Sequence, residues 1–179
     1  MAKPKIATDW LAACAGCHMS LLDVDERLIE LIKKVELTSS PITDLKVPPE
    51  SGVDVGWLTG AVNSSDNEHV AKRMRARARI VVACGDCAVF GGVMRMRNYW
   101  PLQKALETAY IDTPSTVEGK IPGDPDIMVP QVDRALGEVI KVDVYVPGCP
   151  PSADLIFYVL NELAEGRIPQ LDTPKLDYD

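Results

Sequence analysis

The chain carries five cysteines, Cys14, Cys17, Cys84, Cys87 and Cys149. Four of them form two C-x-x-C pairs, and the fifth lies inside Pro147-Gly148-Cys149-Pro150-Pro151. An odd number of thiols in a chain of this kind argues against a disulfide framework. A single cysteine is usually a small buried hydrophobe. Two close pairs and a proline-flanked thiol point instead to a metal or a metal–sulfur cluster. Two C-x-x-C pairs could hold a structural zinc ion. Zinc ribbons keep such pairs at modest separation, whereas here a helix and two strands intervene and Cys149 is left over. An iron–sulfur cluster also takes four thiolates, and it accepts them from scattered loops. Gly16, Gly85, Gly91, Gly92 and Gly148 surround the cysteines. Such backbone can approach sulfur and donate N–H groups to it, which favours the cluster over zinc.

Elements that would position these thiols can be read from hydrophobic periodicity. Apolar runs at 6–11, 53–62, 79–83 and 142–146 predict strands. Residues 20–35, 67–78, 101–110, 131–140 and 152–165 predict helices, the last ended by Gly166. In the 20–35 helix, Leu21, Leu22, Leu28, Ile29, Leu31 and Ile32 form the expected apolar face. Residues 111–130 hold four prolines and two glycines and read as a long loop. Strands alternating with helices imply an α/β fold with a parallel sheet and helices on both faces. Three strands run into cysteines: the first into the loop of Cys14 and Cys17, the third into Cys84 and Cys87, the last into Cys149. Ligands in such sheets bind beyond the carboxyl ends of the strands. One topology would therefore gather thiols that are far apart in sequence.

The 179 residues suit a single domain, here 1–166 with a polar tail at 167–179. At 46% hydrophobic and 25% charged residues the chain should bury a core. A net charge of −7 argues against nucleic acid as partner. No apolar run approaches the roughly 20 residues needed to cross a bilayer, and residues 1–6 lack a secretory pattern. A cytoplasmic protein is expected.

Asp9-Trp10-Leu11 with Cys14-Ala15-Gly16-Cys17, then Cys87-Ala88-Val89-Phe90-Gly91-Gly92, then Pro147-Gly148-Cys149-Pro150-Pro151, resemble the small subunit of NiFe hydrogenases. The resemblance runs over roughly 5–165. It implies a flavodoxin-like domain holding one proximal 4Fe–4S cluster beside the nickel–iron site of a large subunit. It also implies that the ligands are Cys14, Cys17, Cys87 and Cys149. The family motif of a cysteine followed by Ala-x-x-Gly-Gly selects Cys87, which leaves Cys84 as a packed or reserve thiol.

Gly16 and Gly92 stand where some oxygen-tolerant relatives carry extra cysteines, so a standard cube is implied. No cysteine follows Cys149, so one cluster is implied. The short architecture and Cys17-His18-Met19-Ser20-Leu21-Leu22-Asp23 resemble the cytoplasmic NAD-reducing hydrogenases, whose partners are a large subunit and diaphorase-type flavin/iron–sulfur subunits. The terminal-cluster subunit of complex I is a more distant relative. The implied role is electron transfer, with no catalytic residue on this chain. The competing readings are a zinc- or cluster-stabilised assembly module without redox role, or a complex I-like cluster subunit.

Flavodoxin-like folds also bind FMN at strand ends, where 59–65 would lie, but no acidic or glycine pattern assigns a flavin. Backbone groups of Ala15 to His18, Ala88 and Gly148 are candidate donors to cluster sulfur. His18 reads as a polar loop or interface residue, or else as a cluster neighbour on a proton path. The basic stretch Lys72, Arg73, Arg75, Arg77 and Arg79 reads as a solvated face or a docking surface. Arg95 and Arg97, after a ligand loop, read as interface residues.

Overall fold

The computed structural model describes residues 3–172 and Leu176; most of the predicted 167–179 tail beyond 172 lies outside the described residues. The elements run β1 (Lys5–Trp10), α1 (Gly16–Leu22), α2 (Arg27–Lys34), β2 (Glu36–Ser39), β3 (Val53–Thr59), β4 (Val62–Ser64), α3 (Ser65–Arg77), β5 (Ala78–Cys84) and α4 (Asp86–Phe90), then α5 (Leu102–Tyr110), β6 (Pro130–Arg134), β7 (Val144–Val146) and α6 (Ala153–Ala164). Short 3-10 segments occupy Gly92–Tyr99 and Leu136–Glu138. The main sheet is parallel, in the order β2-β1-β3-β5-β7. Counting only its own strands, this is the 2-1-3-4-5 order of flavodoxin-like sheets.

The alternation of side chains along each strand divides the core into two layers. Ile6, Val55, Trp57, Val82, Cys84 and Val146 face one way, against Leu21, Leu31 and the apolar face of α6. Ala7, Leu58, Val81 and Ala83 face the other way, against Ala71, Met74, Ala88 and Leu136. Strands buried on both faces read as continuous apolar runs, which is why β3 and β5 were legible. Gly56 permits the close approach of α3, since a Cβ there would lie 2.7 Å from Met74 Cγ.

Two helical expectations fail. The 20–35 helix is broken into α1 and α2, because Asp25 takes a left-handed φ of 56°. Aspartate tolerates that conformation better than most residues. The break turns the two pieces independently, so Leu21 and Leu31 are buried while Ile29 and Ile32 stay exposed. The 131–140 helix is instead β6 followed by a 3-10 turn. Tertiary pairing overrides local propensity there: β6 runs antiparallel to β4, with Val62 opposite Arg134. Asn98 extends the pairing, donating to the Asp133 carbonyl at 2.7 Å and accepting the Asp133 N–H at 2.9 Å. Strand β2 escaped the sequence reading; it is a short edge strand. The second predicted strand ends at Thr59 rather than running on to 62.

Part of the basic stretch on α3 and β5 is engaged within the fold. Arg75 bonds Asp143 and the carbonyls of Ala78, Arg79 and Lys141, which ties α3 to the start of β7. Arg77 bonds the Pro48 carbonyl, Arg79 pairs with Asp54, and Lys72 with Glu68. Arg75 and Arg77 thus serve the fold, while Lys72 and Arg79, 61% and 83% exposed, keep to a solvated face. Arg75→Ala is expected to destabilise the fold by about 1–2 kcal/mol, the scale of charge-assisted hydrogen bonds at a partly buried site. Chemical denaturation would measure it.

Candidate metal centre at the carboxyl edge of the sheet

Each ligand loop begins where a strand stops. Cys14 follows β1 and is exposed, while Cys17 stands in the first turn of α1 rather than in a loop. Cys87 lies in α4, directly after β5, and Cys149 lies between β7 and α6. Cys84 is the last residue of β5 and is fully buried.

Hydrogen bonds stitch these loops to one another. Gly85 N–H donates to the Val146 carbonyl at 2.8 Å, and Asp86 N–H to the Gly148 carbonyl at 2.9 Å. The Asp86 carboxylate accepts the Gly148 N–H at 2.8 Å, which joins the Cys87 and Cys149 loops reciprocally. Ser20 Oγ donates to the Pro151 carbonyl at 2.6 Å and ties α1 to the proline-rich loop. Leu11 N–H donates to the Thr59 carbonyl at 2.8 Å, and Ala12 and Ala61 bond reciprocally. Ala15, at the start of α1, is held at φ 66°, a strained conformation for alanine. Asp86 and Ser20 escaped the sequence reading; Asp86 could have been found as the polar residue inside Cys84-Gly85-Asp86-Cys87.

The four predicted ligands come to one edge. Burial raises the Cys87 thiol pKa, and the nearby Cys149, Cys17 and Cys14 raise it further. Glycines press on the sulfurs. A Cβ at Gly85 would fall 2.3 Å from Cys17 Sγ, one at Gly92 2.7 Å from Cys87 Sγ, and one at Gly16 3.2 Å from Cys14 Sγ. Gly85 and Gly92 also have positive φ, 87° and 57°. Backbone N–H groups point at sulfur: Gly16 N–H donates to Cys14 Sγ at 3.4 Å, and Val93 N–H is bonded to Cys87. Val93 was not foreseen as a donor. Gly148 was, but its N–H is already spent on Asp86. Thiolates cradled in bare backbone with N–H donors fit an iron–sulfur cluster. Among the described residues no three His, Cys, Asp or Glu side chains stand close enough to hold one metal ion.

Gly85→Ala should destabilise the fold by about 2 kcal/mol or more, since it combines a left-handed backbone with a clash against Cys17. Denaturation midpoints, with iron content measured alongside, would check it.

His18 is neither a loop nor an interface residue. It is 1% exposed, with Nε2 3.2 Å from Thr8 Oγ1 and Nδ1 3.3 Å from Thr59 Oγ1. Thr8 Oγ1 in turn donates to Ser40 Oγ at 2.8 Å. Burial pushes the imidazole pKa down to about 4, so the ring is neutral at physiological pH. The Trp10 ring meets it edge-on, 5.4 Å between centroids. His18 thus pins α1 to the ends of β1 and β3, one residue from Cys17. The 59–65 stretch is taken up by the end of β3, by β4 and by these bonds. Arg95 bonds Glu138 and the Phe90 carbonyl, and Arg97 bonds the Gln131 carbonyl, so both brace the segment after the Cys87 loop.

A flavodoxin-like sheet with thiols gathered at its carboxyl edge defines the class of the hydrogenase-type small subunit. Residues 14–163 match the family model described as NADH ubiquinone oxidoreductase, 20 Kd subunit, and the chain belongs to that family. The delta subunit of NAD-reducing hydrogenase HoxS from Cupriavidus necator is 41% identical over 171 residues, 92% of this chain and 80% of that protein. An F420-non-reducing hydrogenase subunit of Methanothermobacter marburgensis is 36% identical over 97% of this chain, which spans 58% of that protein. In the crystal structure of an NAD+-reducing NiFe-hydrogenase in the H2-reduced state, one chain superposes with a TM-score of 0.92 at 36% identity, covering 99% of this chain and all of that one. The expected kinship and the expected fold both stand.

Proposed function

We propose that this chain is the electron-transfer small subunit of an NAD-reducing NiFe hydrogenase. Cys14, Cys17, Cys87 and Cys149 would hold one 4Fe–4S cluster, which when bound supplies a one-electron store between the large subunit and a flavin/iron–sulfur module. The observation that carries this reading is the meeting of four thiols from three strand ends, with glycine backbone closed against three of the sulfurs. A zinc site built from the two C-x-x-C pairs would have to use Cys84, which is fully buried in the core layer of Trp57 and Val146.

The chain's own work is to fix and shelter. The stitched loops hold the thiols in place, and the N–H donors at Gly16 and Val93 favour the more negative, reduced state of a sulfur cluster. A large partner has a landing surface beside the Cys87 loop. Phe90, Val93, Met96, Tyr99 and Trp100 are 56%, 65%, 59%, 82% and 67% exposed, an apolar patch of the kind that marks protein interfaces. In this reading the complex is cytoplasmic; among the described residues no helix is long and apolar enough to cross a membrane.

The test is iron and sulfide analysis of the anaerobically purified complex, with EPR spectra before and after reduction. About four iron and four sulfide attributable to this chain, with a signal appearing on reduction, supports the proposal. Zinc without sulfide overturns it in favour of a structural module.

A further inference from the structure

Among the described residues, Asp133 is the buried acid that finds no hydrogen-bond partner for either carboxylate oxygen, and it is 1% exposed. Its backbone is fixed by Asn98 in both directions, so β6 holds the carboxyl in place. The charges that face it are Arg95, Arg97 and Glu138. Each is committed elsewhere: Arg95 pairs with Glu138 at 2.8 Å, and Arg97 donates to the Gln131 carbonyl. The neighbouring Arg134 pairs with Glu68, and the opposing strand β4 brings only Val62, Asn63 and Ser64. A buried carboxylate without donors is costly in its charged form. Burial accordingly raises the Asp133 pKa to about 6 against the pull of the two arginines. The carboxyl also lies against the Cys87 loop. A Cβ at Gly91 would fall 3.0 Å from Asp133 Oδ1, and the next residue is Gly92, whose Cβ would fall 2.7 Å from Cys87 Sγ. With adjacent Cα atoms about 3.8 Å apart, the carboxyl stands on the order of 10 Å from that sulfur.

We infer that Asp133 is a proton-binding site coupled to the proposed cluster: its carboxylate takes up one proton when the cluster gains an electron, and releases it on reoxidation. The inference rests on the proposed cluster function. The electron comes from the large subunit and the proton from water, and the one bond formed is O–H on the carboxyl. The added negative charge beside Cys87 is thereby offset by one positive charge behind the same loop. Unit charges about 10 Å apart at an effective dielectric of about 20 shift each other's equilibrium by roughly tenfold. The coupling is reciprocal, so protonation favours reduction by the factor with which reduction favours protonation. The sign follows. At low pH the carboxyl is neutral in both oxidation states and the midpoint is level. The negative charge of an anionic cluster adds to the effect of burial, so the group titrates from about pH 6 upward. Through that window the midpoint falls as pH rises, and it levels again once the carboxyl is ionised in both states.

The experiment is an EPR-monitored redox titration of the anaerobically purified complex at pH 6, 7, 8 and 9, for wild type, Asp133→Asn and Asp133→Ser. His18 is already held neutral across this range by its lowered pKa of about 4. Between pH 6 and 9 the wild-type reduced-to-oxidised ratio at fixed potential should fall about tenfold, which is about 59 mV for a one-electron couple. Both variants should keep the wild-type iron and sulfide and lose the slope. They should match wild type within about twofold at pH 6 and exceed its reduced fraction about tenfold at pH 9. A merely structural role would shift the midpoint equally at every pH or lower the iron content, and either result overturns the inference. So does a wild-type midpoint that is level with pH, or a slope that survives in the variants. Should one variant fail to fold, the other decides. Should neither assemble, the reduced-minus-oxidised infrared difference spectrum of wild type decides: a carboxylic-acid C=O band gained on reduction supports the inference, and its absence overturns it. A wild-type complex without sulfide would defeat the cluster reading itself.

Discussion

On the proposed ligand set, Cys87→Ser is expected to strip the proposed 4Fe–4S cluster from an otherwise folded chain. Iron and sulfide attributable to the chain should fall from about four of each to below one. Hydrogen-dependent NAD reduction by the complex should drop by more than about 100-fold, beyond what changes outside the ligand set alone cost. The reason is chemical before it is structural. Serine offers a harder oxygen ligand and a far less acidic proton than a thiol, and iron–sulfur clusters select soft thiolates. Cys87 is only half-buried and lies outside both core layers, so its removal costs little packing. Its three thiol neighbours and its burial oppose ionisation of the bare thiol. That opposition is relieved only when positive charge is brought among the sulfurs. Far-ultraviolet circular dichroism should match wild type. A two-pair zinc site predicts a different pattern, in which Cys84→Ser and Cys87→Ser lose metal equally. Metal analysis of the two variants side by side separates the readings.

The second large effect is on stability below neutral pH, and it originates at His18. The ordinary imidazole pKa of 6.5 falls to about 4 in the fold because of burial. Above about pH 6.5 the ring is neutral in both the folded and unfolded chain, and it adds no pH dependence. Between about 6.5 and 4 the unfolded chain binds a proton that the folded chain refuses. Stability therefore falls as pH falls through this window, by about 1.4 kcal/mol per unit and about 3 kcal/mol in all. Below about pH 4 both states are protonated and this contribution levels off. Urea titrations at pH 7 and pH 4.5 should show the loss for wild type. His18→Gln keeps hydrogen-bonding capacity toward Thr8 and Thr59 but cannot titrate, so its difference between the two pH values should be smaller by about 2–3 kcal/mol. An equal loss in both proteins would assign the acid sensitivity to carboxylates. The position matters for function too. Protonation would push α1 away from β1 and β3, and Cys17 moves with α1.

The sequence-readable part of the fold follows from burial. β1, β3, β5 and α6 are buried deeply enough that their apolar pattern is nearly continuous; β1, β5 and α6 were legible to within a residue, and β3 in its start but not its end. Elements that rest on partners were not. β2 is a four-residue edge strand whose place depends on β1, and β6 is a strand only because β4 and Asn98 pair with it. The Asp25 break is a single backbone dihedral that periodicity does not register.

By itself the sequence determined which residue types are available and in what order: five thiols, glycines beside them, and strands that end where the cysteines begin. Hydrophobic burial makes strand ends predictable, and a parallel sheet must present those ends on one edge, so convergence could be argued before any coordinate. The tertiary structure alone decided how each group is used. It turned Cys84 inward because the β5 register puts it on the same face as Val82 and Trp57. It buried His18 between two threonine hydroxyls, turned Arg75 and Arg77 into clamps, and spent the Gly148 N–H on Asp86. These are contacts between residues tens of positions apart, set by register and close packing. Neither leaves a periodic trace in the chain, because a hydrogen bond across the sheet depends on where two strands stop and not on what surrounds either residue in sequence.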